Sequence, residues 1–132
     1  VWDYFSNPEN LSEITPQHMN FEITSGKPGK MYAGQIITYK VNILPGIRSN
    51  WTTEISQVVE GKYFIDNQLF GPYKLWHHQH LFEEVEEGVL MKDIVTYKLP
   101  FGFLGNTASF LIKKKLKEIF SFRKKVIESR FH

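Results

Sequence analysis

The feature that most constrains the fold is a run of alternating residue types from Phe64 to Phe82, with a second such run ending at Tyr97. Alternation with a period of two is typical of β-strands, because successive side chains point to opposite faces of a sheet. Short turns at Gly71-Pro72 and Glu87-Gly88 separate these runs. Consecutive strands joined by short turns predict an antiparallel meander.

Helices are predicted at both ends of this meander. Asn7 followed by Pro8 is typical of a capped helix start, so we predict short helices at 1–5 and 8–14. A long amphipathic helix is predicted at 106–130, because its apolar residues recur every three to four positions. The predicted strands span 19–24, 35–44, 51–60, 62–70, 73–85 and 89–99. This order predicts an α+β fold in which the long helix covers one face of a curved antiparallel sheet.

Length and composition narrow the class of protein. A chain of 132 residues is the size of one domain and is large enough for one ligand cavity, so we treat 1–132 as a single domain. The absence of cysteine excludes disulfides and thiolate metal sites. No apolar run reaches the length of a membrane span, and the chain opens without a signal peptide, so we expect a cytoplasmic protein.

One face of the alternating strands carries polar groups among aromatic ones. The residues that share this predicted inner face are Phe64, Asp66, Gln68 and Phe70; Trp76, His78, His80 and Phe82; Asp93, Val95, Tyr97 and Leu99; and Trp51, Thr53 and Ile55. The opposite face carries Lys74, Lys92 and Lys98, which belong in solvent. Imidazole and carboxylate groups beside large apolar side chains are unusual in a plain core and indicate a lined cavity. Further aromatic residues for its wall, or for a simple core, are Phe101, Phe103, Phe110 and Phe120.

Three interpretations of His78-x-His80 stay open. As a metal pair, the two imidazoles with Asp66 or Asp93 are ligands that Zn or Fe accepts. As an acid–base pair, a histidine oriented by either aspartate would move a proton in a cyclisation, dehydration or hydrolysis. As a structural pair, histidine and aspartate satisfy each other's hydrogen bonds, which buried polar groups need whether or not they react. We favour the third, in which these groups also orient a ligand, and we expect no metal or cofactor.

Several local motifs together resemble a known superfamily. They are Val1-Trp-Asp-Tyr-Phe-Ser-Asn-Pro-Glu-Asn-Leu11, Ile14-Thr-Pro16, Phe70-Gly-Pro-Tyr73, Trp76-His-His-Gln-His80, Asp93 and Leu99-Pro-Phe-Gly102. Over essentially the whole chain they resemble a bacterial ligand-binding subgroup of the SRPBCC superfamily, which includes START lipid-transfer domains and polyketide cyclase/dehydrase-like proteins. The resemblance implies a helix-grip fold. Its first strand normally precedes the first short helix and is missing here before Val1, so we expect an upstream segment in the natural protein.

The inner face and the resemblance together predict that the protein binds a small and largely apolar ligand such as a lipid or polyketide, with transport of that ligand as a further option. The cavity would lie between the C-terminal helix and the sheet. The expected ligand-binding residues are Trp51, Phe64, Asp66, Gln68, Trp76, His78, His80, Phe82, Asp93, Tyr97, Leu116 and Phe120. The alternative is a cyclase, dehydratase or hydrolase, for which the candidate catalytic residues are His78, His80, Asp66 and Asp93. The segments 25–34 and 99–105 are either ordinary turns or a gated entrance.

Positive charge is concentrated in the predicted C-terminal helix. Residues 106–132 contain eight Lys and Arg against two Glu, which gives a net charge of +6. A solvated helix face is the commonest explanation for such a run. Transient contact with acidic lipid head groups is the functional alternative. Nucleic acid is not expected as a partner, because no recognised motif or paired aromatic platform accompanies the charge.

Overall fold

The computed structural model describes residues 1–26, 28–44, 47–99 and 106–131. Within these residues, six strands form one antiparallel sheet, and a long helix follows it, as predicted. The strands are β1 (Glu22–Ile23), β2 (Gln35–Leu44), β3 (Ile47–Val59), β4 (Tyr63–Phe70), β5 (Leu75–Val85) and β6 (Gly88–Lys98). The helices are α1 (Trp2–Phe5) and α2 (Asn106–Phe131). Each strand pairs with its neighbour along the chain, from β1 at one edge to β6 at the other.

The N-terminal elements differ in detail from the prediction. The second short helix is a 3-10 helix, Pro8–Ser12, and Asn7 caps it by accepting a hydrogen bond from the Glu9 backbone N–H. The predicted strand 19–24 is reduced to β1, because Gln17–Met19 forms a 3-10 turn. That turn ends at Asn20 in the left-handed region, at φ 48°, where asparagine is better tolerated than most residues. The Pro45-Gly46 turn and residues 100–105, with Phe101 and Phe103, lie outside the described residues.

A one-residue irregularity in β4 changes which face Phe70 occupies. Thr52 pairs with Phe70 while Thr53 pairs with Gln68, so Leu69 is an additional residue in β4. An additional residue reverses the alternation beyond it. Phe70 is accordingly 75% exposed, and its prediction as an inner-face residue is wrong. Phe110 is also wrong as a cavity residue: it is 65% exposed because it lies two residues before buried Ile112, on the opposite side of α2.

Segment 25–34, one of the two predicted as either a turn or a gated entrance, is held to the rest of the protein by hydrogen bonds. The Met31 backbone N–H donates to the Ser6 carbonyl at 2.9 Å, and the Gly34 N–H donates to the Ile55 carbonyl at 2.7 Å. The Gln35 side-chain amide donates to the Pro28 carbonyl at 2.8 Å. Met31 itself is buried. These contacts favour an ordinary structured turn over a gate.

Two apolar clusters fill the space between α2 and the sheet. The first, which we call the N-terminal cluster, consists of Tyr4, Phe5, Ile14, Met31, Ile37, Ile55, Phe64 and Phe82. The second, which we call the cavity cluster, consists of Met19, Val41, Trp51, Tyr73, Trp76 and Ile112. Val126 and Ile127 of α2 pack on the N-terminal cluster, whereas Leu116 and Ile119 pack on the cavity cluster. The helix therefore covers the inner face of the sheet, as predicted.

Candidate functional site: a cavity with a histidine–carboxylate wall

A cavity of about 130 Å³ lies between α2 and the inner face of the sheet. Its wall is mainly apolar and aromatic, with a polar region that β4 and β5 form and two cationic side chains from α2. Eight of the twelve predicted ligand-binding residues line it: Trp51, Phe64, Asp66, Trp76, His78, His80, Leu116 and Phe120. The strand alternation and the apolar stripe of α2 thus bring these residues around one space.

The other four predicted residues have different positions. Gln68 holds the turn after β4, where its amide accepts a hydrogen bond from the Tyr73 backbone N–H at 3.1 Å. Phe82 packs in the N-terminal cluster. Tyr97 packs beside the cavity cluster, with its ring centroid 5.9 Å from that of Tyr73. Asp93 bonds to the histidines and lines a second, smaller cavity of about 20 Å³, which is large enough for one water molecule.

The polar region of the wall is a network of two histidines and two aspartates. His78 Nε2 lies 2.8 Å from Asp93 Oδ1, and His80 Nε2 lies 2.5 Å from Asp66 Oδ2. The remaining ring nitrogens complete the network at longer range: His78 Nδ1 is 3.7 Å from Asp66 Oδ2, and His80 Nδ1 is 3.4 Å from Asp93 Oδ1. Both histidines are buried. Each carboxylate therefore faces both imidazoles.

The register of the sheet explains this arrangement. Asp66 of β4 is the direct partner of His78 in β5, and His80 of β5 is the direct partner of Asp93 in β6. Side chains two residues apart on one strand share a face, so His78 and His80 lie next to each other. Their ring centroids are 3.6 Å apart, with 29° between the planes. The hydrogen bonds then run diagonally between neighbouring strands.

Aromatic side chains hold the two imidazole rings in place. Phe64 stacks on His80, with 4.0 Å between ring centroids. Phe120 of α2 meets His78 edge-on at 5.7 Å, and Trp76 meets it edge-on at 6.0 Å. Rings packed in this way lose the freedom to rotate away from their hydrogen-bond partners. The orientation of both histidines is therefore fixed by packing as well as by the aspartates.

The network distributes charge unequally between the two histidines. Burial lowers the pKa of His78, and the charge of His80 lowers it further, against the opposing effect of Asp93. For His80, burial also disfavours the charged form, but hydrogen bonds to Asp66 and Asp93 outweigh it and raise the pKa. Two imidazolium ions stacked at this distance would repel each other. The hydrogen bonds of the two aspartates therefore favour the charged form of His80 more than that of His78.

The two carboxylates are held in their charged form. Burial alone would raise the pKa of Asp66, but the hydrogen bond and charge of His80 lower it below its usual value. The same balance lowers the pKa of Asp93, where hydrogen bonds from His78 and His80 exceed the effect of burial. The lowered pKa values of both aspartates therefore favour negatively charged carboxylates on either side of the two histidines.

Arg123 adds a positive charge beside the two aspartates. It was not predicted from the sequence as a cavity residue. It lines both cavities, and its Nε is buried without a hydrogen-bond partner among the described residues. Its guanidinium carbon lies 5.1 Å from the centre of the Phe120 ring. Burial lowers the pKa of Arg123, while Asp93 and Asp66 raise it, and an arginine remains charged in such a setting. Arg123 therefore places a buried positive charge beside the cavity and close to both aspartates.

The remaining cations of α2 divide between the cavity and solvent. Lys115 also lines the cavity and lies 3.4 Å from Glu118. The exposed cations are Lys113, Lys114, Lys117, Lys124, Lys125 and Arg130. A solvated face is thus correct for most of the predicted basic run but not for Lys115 and Arg123. Among the residues that the structure describes, no helix is long and apolar enough to cross a membrane.

Strand β2 contributes cavity residues that sequence reasoning also missed. Ile37, Tyr39 and Val41 alternate along β2 and line the cavity. Tyr39 stacks on Trp51, with 5.7 Å between ring centroids. Burial, and then the charge of Asp66, raise the pKa of Tyr39 well above its usual value, so its phenol stays protonated. The alternation in 35–44 was the signal for these residues.

Comparison with known proteins supports the fold. No family model matches the chain, and no curated protein matches it. A crystal structure of TTHA0849 from Thermus thermophilus superimposes with a TM-score of 0.71 at 17% sequence identity. The alignment covers 98% of this chain and 85% of that chain. At this identity the similarity shows a shared arrangement of antiparallel sheet and C-terminal helix.

Proposed function

We propose that the protein has a helix-grip fold of the SRPBCC type and binds a small, largely apolar ligand in the cavity beneath α2. The observation that carries this proposal is the cavity itself, whose apolar and aromatic wall is interrupted by one polar region. Cavities of this composition are the usual sites of small-molecule binding, with the few polar groups orienting the ligand. The order of elements and the similarity to TTHA0849 support the fold assignment.

The size of the cavity limits the ligand. A volume of about 130 Å³ is close to that of an apolar cavity that holds benzene, so the site suits one ring or a short acyl chain. The polar end of the ligand would lie beside His78, His80 and Arg123, with a negatively charged oxygen turned away from Asp66. A carbonyl or negatively charged oxygen there would be attracted by the guanidinium charge of Arg123. The proposed ligand is therefore a single-ring or short-chain compound with a carbonyl, carboxylate or phenolate oxygen.

Tryptophan fluorescence provides a direct assay. Trp51 and Trp76 line the cavity, whereas the third tryptophan, Trp2, packs in the N-terminal cluster. Titration with a panel of single-ring aromatic acids and short fatty acids should give saturable quenching. Replacing Trp51 or Trp76 with Phe should reduce the signal, and replacing Trp2 should not. Failure of every compound, together with no ligand in native mass spectrometry of protein from its own host, would contradict the proposal.

A cavity-filling pair of variants tests the location. Val41→Phe replaces a small side chain of the cavity wall with a phenyl ring and should weaken ligand binding at least tenfold. The control Ile36→Phe lies on the same strand but is 49% exposed, so it should leave affinity unchanged. Thermal unfolding checks that both variants fold. Should Val41→Phe unfold, Leu116→Phe replaces it, with exposed Leu111→Phe as its control. Equal effects of filling and control variants would place the ligand elsewhere.

A second candidate function, an acid–base enzyme in the same cavity, is favoured by the geometry of His78. Asp93 fixes this histidine through Nε2 at 2.8 Å, and the residue lines the cavity with its pKa lowered by burial. A neutral, oriented imidazole is suited to accept a proton. Incubation of the protein with its co-purified ligand distinguishes the two functions. A carrier returns the ligand unchanged in mass and regiochemistry, whereas an enzyme converts it and His78→Gln stops the conversion.

A further inference from the structure

We propose that Asp66, His78 and His80 form a binding site for a divalent transition-metal ion in the wall of the cavity. One potential ligand atom from each residue lies within 4.8 Å of the other two. Two imidazoles and one carboxylate are a ligand set that Zn²⁺ and Fe²⁺ accept. This proposal goes beyond ligand binding and does not depend on it, because the three residues are adjacent without any ligand.

Asp93 prepares the two histidines for a metal. Its Oδ1 lies 2.8 Å from His78 Nε2 and 3.4 Å from His80 Nδ1. When these nitrogens donate their protons to Asp93, the opposite nitrogens present lone pairs on the side of Asp66. Those nitrogens are His78 Nδ1 and His80 Nε2, at 3.7 and 2.5 Å from Asp66 Oδ2. A carboxylate that orients metal-binding histidines from behind in this way is a common feature of metal sites.

The rearrangement needed to admit an ion is small. Metal–ligand bonds of about 2.1 Å in a tetrahedral site separate the ligand atoms by roughly 3.4 Å. The separation of His78 Nδ1 and Asp66 Oδ2 is already close to this, at 3.7 Å. The His80 Nε2–Asp66 Oδ2 contact, now 2.5 Å, must lengthen by about 1 Å as the ion replaces the shared proton. A side-chain rotation of Asp66 would move its Oδ2 away from His80, while His78 and His80 keep their positions on β5.

The position of the site gives the ion an open coordination position. All three residues line the cavity, so the coordination position opposite them faces the cavity space. Three protein ligands with one open position are typical of metal sites that bind a further molecule. Asp66 and Asp93 provide two negative charges to offset the ion beside Arg123. An oxygen on a molecule in the cavity would reach the ion directly.

Titration of metal-free protein with Zn²⁺ and Co²⁺ tests the site. After treatment with a chelator, isothermal titration calorimetry should show one ion per chain, and Co²⁺ should develop visible absorption bands. His80→Ala should abolish this binding, and Asp93→Asn should weaken it by about 10- to 100-fold through loss of histidine orientation. Asp66→Asn, which keeps the side-chain volume, provides a second ligand variant if His80→Ala fails to fold. Circular dichroism checks folding.

His77→Gln is the matched control. It removes an imidazole from the same His-His-x-His run, but His77 faces the other side of β5, where its Nδ1 lies 2.5 Å from Asn67 Oδ1. Metal affinity should be unchanged in this variant. Absence of stoichiometric binding to the wild type, or binding that survives both His80→Ala and Asp66→Asn, would overturn the proposal. Equal loss in His77→Gln would indicate a surface site instead and would also overturn it.

The metal and the apolar ligand can be tested separately. Fluorescence titration in the presence of a chelator reports the apolar ligand alone. Calorimetry with a metal ion and no added ligand reports the metal site alone. Either proposal can therefore be contradicted by its own assay without affecting the other.

Discussion

The N-terminal cluster and the cavity cluster lie under the same helix and on the same sheet, yet they border the 130 Å³ cavity to different extents: five of the six residues of the cavity cluster line it, against four of the eight in the N-terminal cluster. In the N-terminal cluster, α1 and the following 3-10 helix insert Tyr4, Phe5 and Ile14 between α2 and the strands. In the cavity cluster, large residues such as Trp51 and Trp76 surround a space of about 130 Å³. The N-terminal segment thus fills one end of the space beneath the helix and leaves the other open.

The polar network lies where the filled region meets the open one. On β4, Phe64 belongs to the N-terminal cluster and also borders the cavity, and Asp66 is the next inward-facing residue of the cavity wall. On β5, Phe82 is in the N-terminal cluster, while His80 and His78 follow in the direction of the cavity. Buried polar groups need hydrogen-bond partners, and at this boundary the histidines and aspartates bond to each other. Two adjacent strands therefore place their inward-facing polar residues at the same level of the sheet.

Matched phenylalanine truncations should separate the two regions. Phe82→Ala should lower the free energy of unfolding by about 3–5 kcal/mol, because Phe82 is buried in the filled cluster and its removal creates a void. Phe120→Ala should cost less than half as much, because Phe120 already borders a cavity and is partly exposed. Urea denaturation followed by circular dichroism measures both. Equal losses would show that the two regions are packed alike.

The polar boundary should be sensitive to acid. The pKa of Asp93 is lowered in the folded protein, so its contribution to stability is present above the ordinary aspartate pKa of about 4 and is lost as the pH falls. His80 has a raised pKa and acts oppositely: its contribution is present below about pH 6.5 and is lost as the pH rises through the raised value. The lowered pKa of His78 acts against that of His80 near pH 6.5, so the clearest change should be the loss of stability below about pH 4.

Asp93→Asn tests the acid side of this profile. At neutral pH the substitution should cost about 1–3 kcal/mol, because two buried histidine nitrogens lose a charged acceptor. Its stability should also fall less steeply with acid than that of the wild type. Urea denaturation in chelator at several pH values measures both effects. An unchanged acid slope in Asp93→Asn would show that another group controls acid unfolding.

The parts of this fold that could be predicted from the sequence are those with a local period. Alternation placed Asp66, His78 and His80 on one face, because a strand's side chains obey it whatever packs above them. The same rule failed at Phe70, because one additional residue, Leu69, reverses the faces beyond it and leaves no mark in the composition. A bulge of this kind depends on the pairing of β3 with β4.

Arg123 was missed for a different reason. It follows Leu116 by seven residues and Phe120 by three, so it belongs to the apolar stripe of α2. A run of lysines and arginines on a helix usually faces solvent. Because this tendency was applied to Arg123, its position on the buried side of α2 was missed. The size of the cavity has no local signal, because it depends on how the side chains of α2 and of the sheet pack against each other. Such filling is decided by tertiary packing alone.

Two arginines of α2 provide the final and smallest contrast between the regions. Arg130 lies at the filled end, half exposed, 3.6 Å from Glu13 and 4.4 Å from the centre of the Tyr4 ring. Arg130→Ala should therefore lower stability by less than about 1 kcal/mol and leave ligand affinity unchanged, as expected for an exposed ion pair.

Arg123→Met retains apolar bulk beneath Phe120 but removes the guanidinium, so it should weaken the binding of acidic ligands at least tenfold and that of neutral ones much less. Fluorescence titration of both variants with one acid and its neutral amide measures the contrast. Equal weakening of acid and amide by Arg123→Met would show that the guanidinium shapes the cavity without binding the ligand's charge.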